Sequence, residues 1–201
     1  MRRISIPVVA TLAVAALVAA AVSTATGTAT GTATGTATGT AARAPDAPRL
    51  DDATIVAIFD AANTADIETG ALAAERGASA EVREFGGMLV VAHRQVRQQG
   101  RDLARKLGVT PTPPADSASA VQHAAAMARL RTLHGAEFDR AFLQHEVAFH
   151  KAVLDAVTGT LLPAIKNDEL RALVVKVGPA FEAHMIGARN LERRLAGASG
   201  R

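Results

Sequence analysis

Residues 135–155 of the chain, GAEFDRAFLQHEVAFHKAVLD, carry the pattern that decides the fold. On a helical projection at about 100° per residue, large apolar side chains gather on one side. They are Phe138, Phe142, Leu143, Val147, Phe149, Val153, Leu154 and Val157. The opposite side is polar and carries Arg140, Gln144, Lys151 and Asp155. We therefore predict an amphipathic helix over residues 136–158 that packs its apolar face into a bundle.

The same segment places polar residues inside the apolar arc. Glu146 lies near the centre of the arc, His150 lies within it, and His145 lies at its edge. Residues four apart are neighbours on one face of a helix, so Glu146 and His150 are expected to face the bundle interior together.

The rest of the chain after Leu50 is also helical in its apolar spacing, and no segment alternates as a strand does. Long helices are predicted over residues 52–76, 80–107 and 168–195, with a short helix over 117–133. Glycine and proline mark the expected helix ends, at Gly77, Gly108, Gly159 and Pro163. Pro179 is expected to kink the last helix.

These elements predict an all-α fold, a four-helix bundle with a short extra helix crossing between the second and third long helices. Very short links join the first long helix to the second and the third to the fourth, so each pair must be antiparallel. Burial of the apolar stripes, at about 25 cal/mol per Å², is the main driving force.

The N-terminal region is expected to be a targeting segment. Arg2 and Arg3 precede an apolar run at residues 4–22, and the alanines at 19–21 offer a cleavage site. We interpret residues 1–22 as a signal peptide; an uncleaved membrane anchor is the alternative, because the run is nearly long enough to span a bilayer. Either interpretation predicts an exported protein, periplasmic or extracellular.

Residues 23–49 are predicted to be a disordered linker before a helical domain at residues 50–197. The repeat TATGTATGTATGTATGT at residues 24–40 contains no large apolar side chain. Such a segment cannot bury enough surface to offset the entropy of ordering it.

Composition excludes several classes of function. The chain has no cysteine, so disulfides, thiolate metal sites and a lipoprotein anchor are excluded. The net charge of +3 includes Arg2 and Arg3, and without them the balance is about +1. No patch of aromatic and basic residues accompanies this charge, so no nucleic-acid partner is expected.

The other long helices also place candidate metal ligands among apolar residues. His93 lies between Leu89 and Val96, and Glu68 lies at the margin of a stripe formed by Ile58, Ala61, Ala65 and Leu72. His184 lies inside the stripe of the last helix, whereas Glu182 points outward. That stripe comprises Leu170, Val174, Val177, Phe181, Met185, Ala188, Leu191 and Leu195.

Each long helix therefore offers one such residue near its middle. Counted from the short turns, their depths agree to within roughly 5–9 Å. Three imidazoles and one or two carboxylates suit Zn, Cu or Ni. The candidate metal ligands are Glu68, His93, Glu146, His150 and His184. The alternative is that each histidine is a hydrogen-bonded residue of the core.

Several motifs resemble the domain of unknown function 4142 family, exported bacterial proteins with a ferritin-like bundle. The family pattern V-R-x-F-A-x-x-M-V-x-D-H is similar to VREFGGMLVVAH, which ends at His93 and follows Glu68. Its G-x-x-F-D-x-x-Y motif is similar to GAEFDRAF, with His150 downstream, and its L-P-x-L-x-x-H motif to GPAFEAH, which ends at His184. The resemblance covers residues 50–196 and implies a ferritin-like fold.

Two positions depart from this family pattern. Ala92 replaces the aspartate that usually precedes the first histidine, and Phe142 stands where tyrosine is common. An aspartate beside His93 could orient the imidazole, so its replacement is expected to weaken a tuned site.

The sequence favours a binding protein of the cell envelope over an enzyme, with a divalent transition metal as the candidate ligand. A di-iron oxidase needs paired Glu-x-x-His motifs, and no inward-facing pair of that spacing is present. A stress or scaffold module without a small ligand is the second hypothesis, and a metal-dependent redox enzyme is the third. A membrane contact is expected only through residues 1–22, if they are not cleaved.

Overall fold

The computed structural model describes residues 50–114 and 118–198. The predicted signal peptide and the predicted linker up to residue 49 lie outside the described residues. The described part is helical, in the order α1 (Asp52–Arg76), α2 (Ala80–Leu107), α3 (Ala118–Thr132), α4 (Gly135–Ala156), α5 (Leu162–Ala164) and α6 (Asp168–Ala198). No helix among these residues is both long enough and apolar enough to cross a membrane.

The four long helices form two antiparallel hairpins, as predicted. Helices α1 and α2 pack along each other, as do α4 and α6, and the shorter α3 crosses from one hairpin to the other. The all-α bundle with a crossover helix is confirmed.

The predicted break at Gly159 is wrong. The helical chain continues through Gly159 as a π-helical segment, Val157–Leu161, and then as α5, which contains Pro163. Proline is tolerated in the first turn of a helix, because its missing N–H has no intrahelical partner there. The chain leaves helical geometry at Ile165, whose backbone is extended.

A carboxylate from the opposite hairpin holds each tight turn. The carboxylate of Asp139 accepts hydrogen bonds from the backbone N–H groups of Ala78 (2.7 Å) and Ser79 (2.8 Å). Asp52 accepts in the same way from the N–H groups of residues 166 and 167, at 2.8 and 2.9 Å. These bonds fix the relative height of the two hairpins, because each ties the start of one hairpin to the turn of the other.

The core consists of two apolar clusters separated by a polar layer. One cluster lies near the α1–α2 turn and is built around Phe138, Phe142 and Leu89. The other lies near the α4–α6 turn, around Ile55, Leu161 and Leu170. Halfway between them, the bundle buries a set of polar side chains: Asn63, Asp66, Thr69, His93, Glu146, His150 and His184.

The predicted buried stripes of α4 and α6 agree with the structure, whereas that of α1 agrees only at its ends, Ile58 and Leu72, and is wrong in the middle. Ala61 is exposed and Ala65 half-buried, while Asn63, Asp66 and Thr69 are buried. Small residues surround most of α1, so its apolar spacing does not identify one face. The buried face carries polar residues because it meets the polar layer.

Candidate metal centre

Three histidines converge in the polar layer. The ring centroids of His93, His150 and His184 lie 5.0–5.6 Å from one another. His93 and His150 are fully buried and His184 is 9% exposed. One nitrogen from each ring lies within 4.8 Å of one nitrogen from each of the other two. The sequence therefore identified three side chains that meet at one point.

The orientation of His93 is fixed by Asn63 on α1. The Asn63 amide donates to the Phe59 carbonyl at 2.8 Å, which leaves its Oδ1 facing Nδ1 of His93 at 3.0 Å. We assign the proton to Nδ1, because Oδ1 is an acceptor. The lone pair of His93 is then on Nε2, which faces the cluster.

His150 is oriented by its own helix. Its Nδ1 lies 3.0 Å from the backbone carbonyl of Glu146 and donates to it. The lone pair is therefore on Nε2, which is buried and has no hydrogen-bond partner in the described part of the chain. A buried polar atom without a partner lowers the stability of the fold by about 1–3 kcal/mol. A ligand bound to this nitrogen would remove that cost.

The fourth group at this point is the carboxylate of Asp66, which is 1% exposed. Its Oδ2 lies 3.4 Å from Nε2 of His93 and 3.9 Å from Nε2 of His150. Nδ1 of His184 lies 3.1 Å from Nε2 of His93 and donates a hydrogen bond to it, so a bound metal would replace this bond and His184 would change tautomer. Ligands about 2.0–2.1 Å from a tetrahedral zinc ion stand about 3.3 Å apart. Three of the six separations in such a ligand set, at 3.1–3.9 Å, are close to this value.

Glu146 supplies a second buried carboxyl group beside Asp66. Asp66, Glu146 and His150 form a second group whose candidate ligand atoms lie within 4.8 Å of one another. Within residues 50–114 and 118–198, none of the four carboxyl oxygens makes a hydrogen bond of good geometry, although the two carboxyl groups and Thr69 lie close enough to influence one another. Two adjacent carboxyl groups in a dry interior are costly when both are ionised, and a cation between them would offset that cost.

Burial changes the protonation of these groups in opposite directions. Burial, and then the charges on the other two imidazoles, lower the pKa of His93 to about 3. Burial also lowers the pKa of His150 to about 3 and that of His184 below its usual value. Burial raises the pKa of Glu146 to about 7, and burial with the Glu146 charge raises the pKa of Asp66 well above its usual value. At neutral pH the imidazoles are therefore neutral and ready to bind a metal.

The predicted inward orientation of Glu68 is wrong. Its side chain is 52% exposed and pairs with Nε2 of His123 on α3 at 2.7 Å. Glu68 is two positions after Asp66, and two positions turn a helix by about 200°, so the two carboxylates face opposite ways. The contact leaves His123 only 20% exposed.

Asp66 and Asn63 are the residues of the centre that sequence reasoning missed. With Thr69 they occupy every third position of α1 among alanines, and this spacing alone marks a polar face. The departure at Ala92 also has a different consequence from the expected one. His93 keeps an orienting partner, since Asn63 on α1 contacts its Nδ1.

The metal-free protein should be most stable near pH 6.5–7. Burial lowers the pKa of His145 to about 4, as it lowers the pKa values of the three histidines of the centre. Below pH 6.5 the unfolded chain therefore binds protons on four histidines that stay neutral in the folded protein: His93, His145, His150 and His184. The two carboxyls oppose this, because the folded protein keeps their protons. We expect a net loss of roughly 2 kcal/mol between pH 6.5 and 5.

As the pH rises from 4.5 to about 7, ionisation of Glu146 in the folded protein should lower stability and offset part of the gain from the histidines. Glu146→Gln should remove that loss, so its stability should rise more steeply than that of the wild type between pH 5 and 7. Urea unfolding followed by circular dichroism in the presence of a chelator measures both effects. A stability maximum at pH 5 or below would contradict the assigned protonation states.

Comparison with known proteins places the chain in a family without giving it an activity. No curated protein matches the chain. A solved structure of a DUF305 fragment from Deinococcus radiodurans superposes with a TM-score of 0.60 and 19% identity, covering 71% of this chain and 95% of that chain. This likeness shows a shared fold. The family model described as a domain of unknown function, DUF4142, matches residues 36–191, and the chain therefore belongs to the DUF4142 family.

Proposed function

We propose that this protein binds one divalent transition-metal ion in the polar layer of its bundle. The ligands are Nε2 of His93, Nε2 of His150, Nδ1 of His184 and the carboxylate of Asp66. One observation supports the proposal most strongly: the Nε2 atoms of His93 and His150, each oriented by a hydrogen bond at Nδ1, lie 3.4 and 3.9 Å from the buried carboxylate of Asp66.

The ligand set selects the class of metal. Three imidazoles and one carboxylate suit Zn²⁺, Cu²⁺ and Ni²⁺, whereas Mg²⁺ and Ca²⁺ prefer oxygen ligands. Asp66 and Glu146 together carry two negative charges when ionised, which balance one divalent ion. Because both pKa values are raised, metal binding should release protons from the carboxyls and not from the imidazoles.

The same geometry favours a binding protein over an enzyme. A catalytic zinc site keeps one position open for water or substrate, whereas four protein ligands close a tetrahedral site. The site is also buried between two apolar clusters. An ion held there is enclosed by the bundle, which suits metal sequestration or structural stabilisation in the cell envelope.

Removal of one imidazole should abolish metal binding. We expect the untagged protein to bind one equivalent of Zn²⁺, and His150→Ala and His184→Ala each to weaken binding by more than about 100-fold. Calorimetric titration measures the stoichiometry and the affinity. Co²⁺ serves as a second probe, because a tetrahedral site gives it strong visible absorption.

Two control variants remove side chains outside the centre. His145→Ala deletes an imidazole from the same helix as His150, and Glu182→Ala deletes an outward carboxylate from the helix of His184. Both should bind the metal as the wild type does. If the wild type binds no metal and His150→Ala only lowers its stability, the polar layer is structural and the proposal fails.

We also propose that the protein works outside the cytoplasm. Support comes from Arg2, Arg3 and the apolar run at residues 4–22. The mature protein from its native host should begin between Ala20 and Ala42, as determined by N-terminal sequencing. An intact cytoplasmic chain that begins at Met1 would contradict export.

A further inference from the structure

A cavity of about 290 Å³ lies beside the metal centre and plays no part in metal binding. It is enclosed by α1, α3, α4, the π-helical segment and α6. Most of its wall is aliphatic or aromatic, and includes Ile58, Phe149, Val153, Leu161 and Val174. Its volume is at the lower limit of small-molecule sites, which are about 300–1,000 Å³. A large polar cofactor would not fit, either in size or in chemistry.

The wall of the cavity follows α1 over about three turns. It extends from Ile58 to Glu68, eleven residues, with a rise of about 15 Å along the helix. An extended carbon chain advances by roughly 1.3 Å per bond, given a bond length of about 1.5 Å. The cavity therefore accommodates a single chain of about ten carbons.

A residue at one end of the cavity wall has a buried ring nitrogen without a hydrogen-bond partner in the described part of the chain. His123 and Glu68 lie in the wall at this end, where Nε2 of His123 contacts the Glu68 carboxylate at 2.7 Å. Because a carboxylate accepts, Nε2 carries the proton and Nδ1 carries the lone pair. This Nδ1 is buried and has no hydrogen-bond partner among residues 50–114 and 118–198. A ligand with a hydroxyl group would satisfy it.

The cavity is separated from the metal centre by Phe181 and Asn63, which border both. The Phe181 ring lies 5.0 Å from the His93 ring and 5.7 Å from the His150 ring, and Asn63 contacts His93. A molecule in the cavity therefore touches side chains that orient the histidines without reaching the metal ligands themselves.

We infer that this cavity binds a medium-chain aliphatic alcohol, with its chain along α1 and its hydroxyl group at Nδ1 of His123. The apolar wall contacts the chain, and Nδ1 of His123 accepts a hydrogen bond from the hydroxyl group. The neighbouring Glu68 carboxylate disfavours an anionic head group at the same place, because like charges repel. The inference does not depend on metal binding.

Titration of the full chain with 1-decanol, below its solubility limit, tests this inference. Methyl resonances of Val153, Leu161 and Val174 should shift in nuclear magnetic resonance spectra with one saturable site. Methyl resonances of Val82 and Leu143, which lie in the other apolar cluster, should stay unchanged. The affinity for decanoate should be lower than that for decanol by a factor of about ten or more.

A matched pair of variants locates the site. Ala62→Phe fills the cavity from α1 and should abolish decanol binding, whereas Ala148→Phe places the same ring on an exposed position of α4 and should have no effect. Circular dichroism checks that both variants fold. The inference is overturned if decanol does not saturate, if its shifts fall outside the cavity, or if decanoate binds equally well. The wild-type shifts decide the matter even if Ala62→Phe does not fold.

Discussion

Asp66→Asn should weaken Zn²⁺ binding by at least about 100-fold and, at the same time, stabilise the metal-free protein by about 1–3 kcal/mol. The two effects have opposite signs because the carboxylate has different roles with and without the ion. With a metal bound, Asp66 would supply a charged ligand, since its Oδ2 already lies 3.4 Å from Nε2 of His93. Without one, it is a buried acid beside a second buried acid.

The opposite signs of the effects on Zn²⁺ affinity and on stability distinguish a metal site from a structural polar layer. If Asp66 served the fold alone, its replacement would lower stability, as loss of a buried hydrogen-bonding group does. Residues that are retained at a cost in stability are typical of functional sites. Calorimetric titration gives the affinity, and urea unfolding in chelator gives the stability at pH 7.5, where ionisation of Asp66 and Glu146 is most costly.

Glu68→Gln is the matched control for this experiment. It makes the same chemical change two positions along α1, on a side chain that is 52% exposed. We expect unchanged Zn²⁺ affinity and a stability within about 0.5 kcal/mol of the wild type. If instead Glu68→Gln abolished metal binding and Asp66→Asn left it intact, the ligand proposed from the sequence would be right and that from the structure wrong.

The sequence predicted the bundle because three of its long helices have distinct apolar faces. In α4 and α6, large side chains such as Phe142, Phe181 and Leu191 leave only one face that can be buried. The histidines follow from the same argument, because His150 and His184 lie on those faces. The tight links at residues 77–79 and 165–167 then require antiparallel pairs.

The same reasoning fails on α1, where the composition does not show which face of the helix is buried. Alanine and glycine are tolerated on any face, so the margin assigned to Glu68 was decided by residues such as Ala61 and Ala65, which carry little information. The sequence also could not predict the height along the bundle axis at which side chains from different helices meet. It is set by the carboxylates of Asp52 and Asp139, which bind the turn of the opposite hairpin.

Gly86→Ala should destabilise the protein by about 3 kcal/mol, which is large for the addition of one methyl group. A Cβ atom at this position would lie 2.6 Å from the carbonyl oxygen of Gly70 and 2.8 Å from the backbone nitrogen of Ala74. Both are backbone atoms of α1 and cannot rotate away. Helices α1 and α2 would have to separate along their shared face.

That separation should also reach the metal centre. Gly70 is one helical turn after Asp66, and Gly86 is two turns before His93, so both glycines lie on the faces that bring these ligands together. We therefore expect Gly86→Ala to weaken Zn²⁺ binding as well as folding. Urea unfolding followed by circular dichroism suits this chain, which contains no tryptophan or tyrosine.

Gly87→Ala is the control, since the same substitution one residue later meets no atom within 4 Å. Alanine is favoured over glycine inside a helix by roughly 0.5–1 kcal/mol, so this variant should be more stable than the wild type. Opposite signs at adjacent positions would show that close contact between α1 and α2, and not helix propensity, requires glycine at position 86. If both variants gained stability, the two helices would not be in close contact, and the juxtaposition of Asp66 with His93 would lose its structural basis.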